Sequence, residues 1–475
     1  MKAIALRSAL VCGTSLLAVL ASPAMAQSEG VPANGDVASN DPGDIVVTAR
    51  RRSETLNNVP VVVSVVGSAQ LANNNATDLS KIGELTPTVI VGAYKSNGGG
   101  TIAIRGVSSP ANQAGFEQAV SVAIDGVQTS DGRIAQLGMF DVRQVEVLKG
   151  PQALLFGKNN TAGVISIKTA DPTDQFEVTA RATYEFVGDE LTTDATISGP
   201  VSDGIGVRLA LRYRNLDGWL RNTAKPIANP FFNAATGAPT GAAQLPGTAN
   251  PRPGDEEVLA RLTLKGDIGR NLTFRIKSFF GRNNDSGPGT ATQNIGPCTG
   301  SNPKMYGIAD PAADCVVDNR TTIGDLPVAI ASTMRGGTAD GTAYGRLTVH
   351  THMLELGWKS GQIAIDSTTG YNNTKYQFFS GLDQTSFSQL AFYNQQRARQ
   401  FSQELRVTSD FTGPINFMAG GFYQSARLRD TNDTKLNDGN YRTPANRFVT
   451  YEDLGLQTGN TLSAFVQLML KPSDA

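Results

Sequence analysis

Residues 177–475 alternate apolar and polar side chains over long stretches, and this period of two limits the fold more than any other feature. In 177–186, for example, apolar side chains occupy the even positions and charged or hydroxyl side chains the odd ones. Such alternation is typical of β-strands, because successive side chains point to opposite faces. Many of the stretches reach the roughly 9–11 residues of a tilted membrane strand. The pattern predicts ten strands: 177–186, 191–199, 207–214, 257–266, 271–280, 345–358, 362–378, 401–411, 415–427 and 460–470.

The connections between these strands alternate in length. After a tight turn at 188–190, short connections (200–206, 267–270, 359–361, 412–414) alternate with long ones (215–256, 281–344, 379–400, 428–459). Short turns on one rim and long loops on the other are typical of outer-membrane barrels. The polar strand face carries Arg208, Arg212 and Arg214, which a dry core could not hold unpaired. We therefore expect an antiparallel transmembrane β-barrel with a wet interior, in preference to a soluble β-sandwich.

Composition excludes two other classes of protein. The formal net charge is −1, which is unsuited to a nucleic-acid binder that neutralises phosphates. Charged residues make up 17% of the chain, Gly occurs 50 times and the mean hydropathy is −0.19. These values are too polar for a helical membrane bundle, but they suit a turn-rich β protein.

The first 52 residues have the composition of an export signal followed by a leader. Lys2 and Arg7 precede an apolar stretch, and Ala24-Met25-Ala26 fits a cleavage site, so 1–26 is predicted to be a signal peptide rather than a membrane anchor. Residues 27–52 are predicted to be a disordered leader. Its β-prone patch at 44–49 could pair with a sheet edge of another protein or form the first strand of the next domain.

Residues 53–172 are predicted to form a compact α+β domain. Short apolar runs alternate with Gly, Asn and Pro, and turns are expected at 105–106, 125–126 and 149–151. Helices are expected at 68–73 and 78–85, with Thr77 as the N-cap of the second.

Four stretches between residues 44 and 157, in order, resemble the motifs of TonB-dependent outer-membrane receptors, and 402–407 resembles a barrel segment of the siderophore-receptor branch. The first stretch resembles the TonB box: Asp44, Ile45, Val46, Val47, Thr48 and Ala49. Residues 101–107 and 122–127 resemble two motifs of the plug domain, and 140–157 resembles its most specific signature. The plug residues that carry the resemblance are Arg105, Gly106, Asp125, Gly126, Glu146, Lys149, Gly150, Pro151 and Gly157.

The resemblance implies a plug domain inside a wide barrel that sits in outer-membrane lipid. A scarce small molecule such as a ferric siderophore would bind above the plug, and TonB with its inner-membrane energising complex would pull at 44–49. No cofactor, catalytic residue or nucleic-acid partner is implied. A plugged barrel of this family has more strands than ten. A truncated, non-transporting paralogue or a gene fragment therefore stays open as the alternative to a complete receptor.

Several side chains have the chemistry of candidate sites. The spacing at 150–159 does not fit a phosphate loop, and a tight plug turn is expected instead. His350 and His352 are expected to face the lumen, opposite Leu347 and Val349, with no third ligand for a metal. Cys298 and Cys315 are expected to form a disulfide after export. Arg105 and Glu146 are expected either to hold the plug closed through ion pairs or only to stabilise its own fold.

Overall fold

The computed structural model describes residues 46–47, 54–56, 61–92, 101–109, 118–129, 132–152, 160–231, 243–287, 293, 296, 298, 300–305, 307–437 and 448–470. All of them belong to one compact unit, Val46–Ala475. Within these ranges, no helix is both long enough and apolar enough to cross a membrane. The predicted signal peptide and most of the predicted leader lie outside the described residues.

An α+β domain comes first and is called the plug below. Five of its strands form a mixed sheet, and three short ones form a separate antiparallel sheet. The elements are β1 (Val46–Val47), β2 (Glu54–Thr55), β3 (Val62–Gly67), α1 (Ser68–Asn73), α2 (Leu79–Leu85), β4 (Val89–Val91), β5 (Ile102–Ile104), β6 (Val107–Ser108), β7 (Val120–Ile124), β8 (Val127–Thr129), α3 (Gly132–Gly138), β9 (Val142–Lys149) and β10 (Gly163–Thr169). The order in the mixed sheet is β3-β9-β10-β7-β8, with β10 and β7 parallel.

The plug has its own apolar core. The helices α1 and α2 contribute Leu71 and Ile82, which pack with Val147 of β9 and Ile165 of β10. The two central strands are largely buried, and even polar side chains within them, Glu146 of β9 and Ser166 of β10, are shielded from solvent. The predicted cap of α2 is wrong by one residue. Asp78 is the N-cap, and its carboxylate accepts a hydrogen bond from Lys81 N at 3.1 Å.

Two plug hairpins have the same turn chemistry. In Ile104-Arg105-Gly106-Val107 and in Ile124-Asp125-Gly126-Val127, the outer residues pair across the hairpin. The central residues all have positive φ, +53° and +80° in the first turn and +47° and +83° in the second. This is the type I′ geometry, which favours Gly at the second position and a strand twist that matches the hairpin. The predicted turns at 105–106 and 125–126 are confirmed.

Ten antiparallel strands follow in one sheet, in sequence order. They are β11 (Glu177–Glu185), β12 (Glu190–Ser202), β13 (Ile205–Leu216), β14 (Asp255–Ile268), β15 (Leu272–Asp285), β16 (Tyr344–Ser360), β17 (Ile363–Gly381), β18 (Leu390–Ser409), β19 (Ile415–Leu436) and β20 (Val449–Leu470). The predicted number and order of these strands are confirmed. In the described part of the chain, the hydrogen-bonded order runs from β11 to β20.

The predicted lengths are wrong for the later strands. β18 begins at Leu390 instead of 401, and β20 begins at Val449 instead of 460. Two of the four long connections therefore shrink to 382–389 and 437–448. The extra strand residues are mostly polar on both faces and pair outside the apolar band. The sequence therefore shows no apolar–polar alternation there that would predict a strand.

The two remaining long connections carry short elements of their own. The helix α4 (Val328–Ala331) packs on the outer face of the sheet, against Phe379 and Tyr393. Short strand pairs join parts of these connections: Arg221–Asn222 with Arg320–Thr321, Ile227–Ala228 with Gln244–Leu245, and Lys304–Met305 with Ile308–Ala309.

The sheet has an inner face against the plug and an outer face away from it. Plug residues Ile134, Leu137 and Phe140 pack on inner-face side chains such as Phe279 and Val349. The polar strand face predicts a wet interior, but part of the interior is an apolar contact between the plug and the sheet. Leu347 and Val349 are inner-face residues for this reason.

The prediction that His350 and His352 face the lumen is wrong. They alternate with the buried Val349 and Met353 and lie on the outer face. His350 lies beside Phe280 at 5.2 Å between ring centroids, and His352 stacks on Tyr371 at 6.3 Å. The physical reason is that the plug offers an apolar surface at this height, so the apolar positions of β16 turn inward. Among the described residues, no group of His, Cys, Asp and Glu side chains has the arrangement of a metal site.

Candidate functional site: the contact between plug and sheet

Asp125 lies at the tip of the β7–β8 hairpin, where the type I′ turn aims its carboxylate away from the plug core. It accepts hydrogen bonds from Thr169 N at 3.0 Å and from Thr169 Oγ1 at 2.6 Å. It also forms an ion pair with Lys277 of the inner face of β15, at 3.1 Å between Oδ1 and Nζ. Burial by itself raises the pKa of Asp125, but the charges of Lys277 and Arg261 together with the hydrogen bonds from Thr169 outweigh burial and lower it. Asp125 is therefore an ionised plug group whose charge is stabilised by cations of the sheet.

Lys277 is buried, with 5% of its surface exposed. Besides Asp125, its ammonium donates to Thr169 O at 3.1 Å and to Thr169 Oγ1 at 2.8 Å. It also lies 3.2 Å from the carboxylate of Asp171. A buried ammonium requires this full set of partners, because an unpaired charge in the interior is costly. Lys277 thus joins the hairpin tip and the end of β10 to the same point on the sheet.

Asp171 follows β10 and binds three cations of the sheet. Its carboxylate lies 2.9 Å from Arg275 and 3.1 Å from Lys265, in addition to Lys277. Burial raises its pKa, but the three cations prevail and lower the pKa to about 2. Arg275 is itself held in place by Glu355 at 2.8 Å.

Asp141 forms the third ionic contact. It has a positive φ of +54° just before β9, and its carboxylate accepts from Arg208 Nη2 at 2.6 Å and from Nε at 3.1 Å. This forked pairing fixes the orientation of both groups. Nearby, Arg261 donates to the carbonyl of Phe140, and its guanidinium lies 4.9 Å from the ring centroid of Phe279.

We call the set of these ionic contacts the latch: plug residues Asp125, Asp141 and Asp171 with sheet residues Arg208, Lys265, Arg275 and Lys277. Its cations come from β13, β14 and β15, which are consecutive in the sheet. Two further contacts lie beyond the latch, on the side of β17 and β18. Gln400 donates to the carbonyl of Gln128 at 2.6 Å, and Gly370 leaves room for Val127, whose Cγ1 would be 2.4 Å from an added Cβ.

The residues predicted from the plug motifs have varied surroundings. Arg105 is exposed at its turn, whereas Glu146 of β9 is 1% exposed. Lys149 donates to the carbonyl of Pro87 at 2.9 Å, and burial together with the charge of Arg105 lowers its pKa. Gly150 has a φ of +108° at the end of β9, and its N–H donates to Ala162 O at 3.0 Å. Pro151 follows in the described part, and Gly157 lies outside it.

Only two residues of the predicted TonB box are described. Val46 and Val47 form β1, which pairs antiparallel with β2 of the same chain. Val47 is fully buried, and the carbonyl of Val46 accepts from Gln144 Nε2 at 3.2 Å. Asp44, Ile45, Thr48 and Ala49 lie outside the described residues.

The long connections are joined to one another. A disulfide links Cys298 and Cys315, with 6.0 Å between the Cα atoms. Asp310 accepts from Ser386 Oγ at 2.6 Å, so that the connection 286–343 is tied to 382–389. Burial raises the pKa of Asp383 in the same region.

Sequence reasoning identified Asp125 but not its partners. Asp141 lies within the 140–157 signature but was not singled out there, and Asp171 and Lys277 lie in no motif. The available signal was weak: Lys277 is a charge on an inner-face position between Arg275 and Phe279, and such positions need a partner.

Comparison with known proteins agrees with this architecture. Residues 55–164 match the family model described as the TonB-dependent receptor plug domain. The pesticin receptor of Yersinia pestis is 35% identical over 184 residues, which cover 36% of this chain and 25% of the receptor. The vitamin B12 transporter of Vibrio vulnificus is 29% identical over 197 residues, 40% of this chain and 30% of the transporter.

Among solved structures, the ferric yersiniabactin uptake receptor of Yersinia pestis matches with a TM-score of 0.62 at 18% identity. The match covers 90% of this chain and 57% of that structure, so the chain spans little more than half of it. At this identity the likeness shows the fold, which is a plug with an antiparallel barrel sheet. Residues 55–164 are thus similar to the plug domain of TonB-dependent receptors, the sequence relatives are receptors and transporters matched over about a quarter of their length, and the solved structure shares the fold of the described chain.

Proposed function

We propose that this chain acts in the energy-coupled uptake of a scarce small ligand across the outer membrane, with the plug as the gate. The observation that carries the proposal is the latch. Three plug carboxylates, Asp125, Asp141 and Asp171, each pair with cations of the sheet. Buried ion pairs are specific in geometry and add little net stability over an apolar contact, because both charges must be desolvated. A plug held in this way is seated in one position and can still be released.

The attachment of β1 supports the proposal that TonB acts at 44–49. β1 contacts β9 through the hydrogen bond from Gln144 to Val46. Gln144 pairs in register with Lys168 of β10, and the next residue, Thr169, binds both Asp125 and Lys277. A pull on β1 would therefore act on β9 and β10, whose end carries the latch. We propose that force at the TonB box loosens the latch and opens a path beside the plug.

The ligand class proposed is a ferric siderophore. The supporting observation is the fold shared with a ferric yersiniabactin uptake receptor. Relatives named for hemin and vitamin B12 define the alternatives that a test must include.

The test uses a strain that lacks its own copy and carries the full chain on a plasmid. Under iron limitation, cells are given radiolabelled ferric siderophores, haem or cobalamin, and uptake is measured. We expect energy-dependent uptake of a ferric siderophore that is lost when residues 44–49 are deleted. Deletion of residues 30–35 in the same predicted leader is the matched control and should leave uptake unchanged. Binding without uptake would instead favour the non-transporting alternative, and neither binding nor uptake would refute the proposal.

A further inference from the structure

The outer face of the sheet carries a dense group of cations on three neighbouring strands, β17, β18 and β19. All are exposed, and they alternate with buried inner-face residues such as Thr374 and Gln396. We call this group the basic belt. It consists of Lys375, Arg397, Arg399, Arg427 and Arg429.

The register places these cations directly opposite one another. Lys375 pairs with Arg397, and Arg397 pairs with Arg429, so three cations form one row across the sheet. Arg399 and Arg427 face each other in the adjacent row. Like charges directly opposite on one face of a sheet repel and destabilise the pairing. Neighbouring strands are only about 4.8 Å apart, so this repulsion is not relieved by distance.

The described residues do not neutralise the basic belt. The outer-face positions that border it along the same strands are uncharged: Asn373, Gln377, Gln395, Ser425 and Thr431. Within the described part of the chain, no ion pair includes any of its five cations. Since the described residues supply no counter-ion, the arrangement favours anions from outside the chain.

The position of the basic belt indicates the source of those anions. On one side lies an aromatic row, Tyr371, Phe401 and Tyr423, each about two-fifths exposed. Beyond this row the outer face is apolar, with Leu405 51% exposed. Aromatic girdles of this kind mark the boundary between lipid tails and headgroups. On the other side the helix α4 covers the outer face. The basic belt thus lies at headgroup height, on the side of the long connections.

We propose that the basic belt binds the phosphate groups of a lipid in the outer leaflet, a phosphorylated glycolipid. Arginine side chains match phosphate oxygens in pairs, and two rows of cations can hold two phosphates at once. The proposal rests on the proposed outer-membrane location. The lipid would remove the repulsion between the strands and anchor β17, β18 and β19 beside the plug contacts of Gly370 and Gln400.

The test measures binding of the purified full chain, in detergent, to phosphatidylcholine vesicles with and without a bis-phosphorylated, acylated glucosamine disaccharide. The test variant combines Arg397→Gln, Arg399→Gln, Arg427→Gln and Arg429→Gln. The control variant neutralises four exposed cations elsewhere: Arg181→Gln, Arg221→Gln, Arg270→Gln and Lys359→Gln. Resistance of the plug to chymotrypsin checks that each variant is folded.

We expect the native chain and the control variant to bind the glycolipid vesicles equally. The test variant should bind about a hundredfold more weakly, since each cation near an anionic surface contributes measurably. Equal binding by the test variant would overturn the proposal, as would equal binding of a dephosphorylated glycolipid. Displacement by millimolar inorganic phosphate would identify a free-anion site, and copurification of an acidic protein in place of lipid would identify a protein partner; either result would also overturn it. Because this assay contains neither TonB nor ligand, its outcome is independent of the uptake test.

Discussion

Replacement of Lys277 by methionine tests whether the latch holds the plug. The ammonium of Lys277 makes contacts of 2.8–3.2 Å with Thr169, Asp125 and Asp171. Asp171 keeps two other cations in the variant, whereas Asp125 loses its ion pair and stays buried. Leaving one partner of a buried ion pair uncompensated costs about 3–5 kcal/mol. We expect Lys277→Met to destabilise the seated plug by about 3 kcal/mol.

Hydrogen exchange of the purified chain measures this effect. Amides of β7 and β10 should exchange more than about a hundredfold faster in Lys277→Met, since 1.4 kcal/mol is a factor of ten. The matched control is Lys265→Met, which removes a cation from the same Asp171 but at a side chain that is 49% exposed. An exposed ion pair contributes at most about 1 kcal/mol, so this control should change little.

The double variant Lys277→Met with Asp125→Asn completes the cycle. Because the second change removes the uncompensated charge, the combined cost should fall below the sum of the single costs by about 2 kcal/mol. Strict additivity, or equal effects of Lys277→Met and Lys265→Met, would refute the role assigned to the latch.

Three further outcomes follow from the same contacts. The pKa of Asp171 falls from 3.8 to about 2 in the folded chain. Its contribution to holding the plug, about 2 kcal/mol, is therefore complete above about pH 4 and is lost as the pH falls toward 2. The hydrogen exchange of plug amides should depend less on pH over this range in Asp171→Asn. Gly370→Ala should destabilise the seated plug by about 1–3 kcal/mol, because the added Cβ would lie 2.4 Å from a plug side chain. Gly421→Ala, whose added Cβ has its nearest neighbour at 3.9 Å, should have no such effect. The temperature at which the plug is released compares the two variants. Removing the disulfide by Cys298→Ser and Cys315→Ser opens a closed loop with a sequence separation of 17, so limited proteolysis should cut within 286–343 while plug exchange stays unchanged.

The elements of the plug that carry turns were predictable because their signal is local. Arg105-Gly106 and Asp125-Gly126 demand positive φ at both positions, and Gly supplies it in each second position. The helix Gly132–Gly138 was missed, since its residues carry neither a cap nor a clear apolar period. Its apolar side chains are fixed by packing on the sheet, which the sequence does not display.

The candidate site was only half predictable. Asp125 stands in a motif, but its partner Lys277 lies more than 150 positions later in the chain, with the hydrogen bond recorded at a separation of 152. A contact across such a distance depends on the register of every strand between, and no local pattern encodes it. The latch is therefore a property of the assembled plug and sheet.

The sequence by itself determined that ten antiparallel strands follow an α+β domain, because a period of two and a glycine turn are decided by neighbouring residues. The tertiary structure decided which strand face turns inward. His350 and His352 lie on the outer face and Val349 on the inner face, because the plug surface opposite Val349 is apolar and packs with apolar side chains. The ends of the long strands, the partners of the three latch carboxylates and the rows of the basic belt were settled in the same way, by what each side chain meets across the fold.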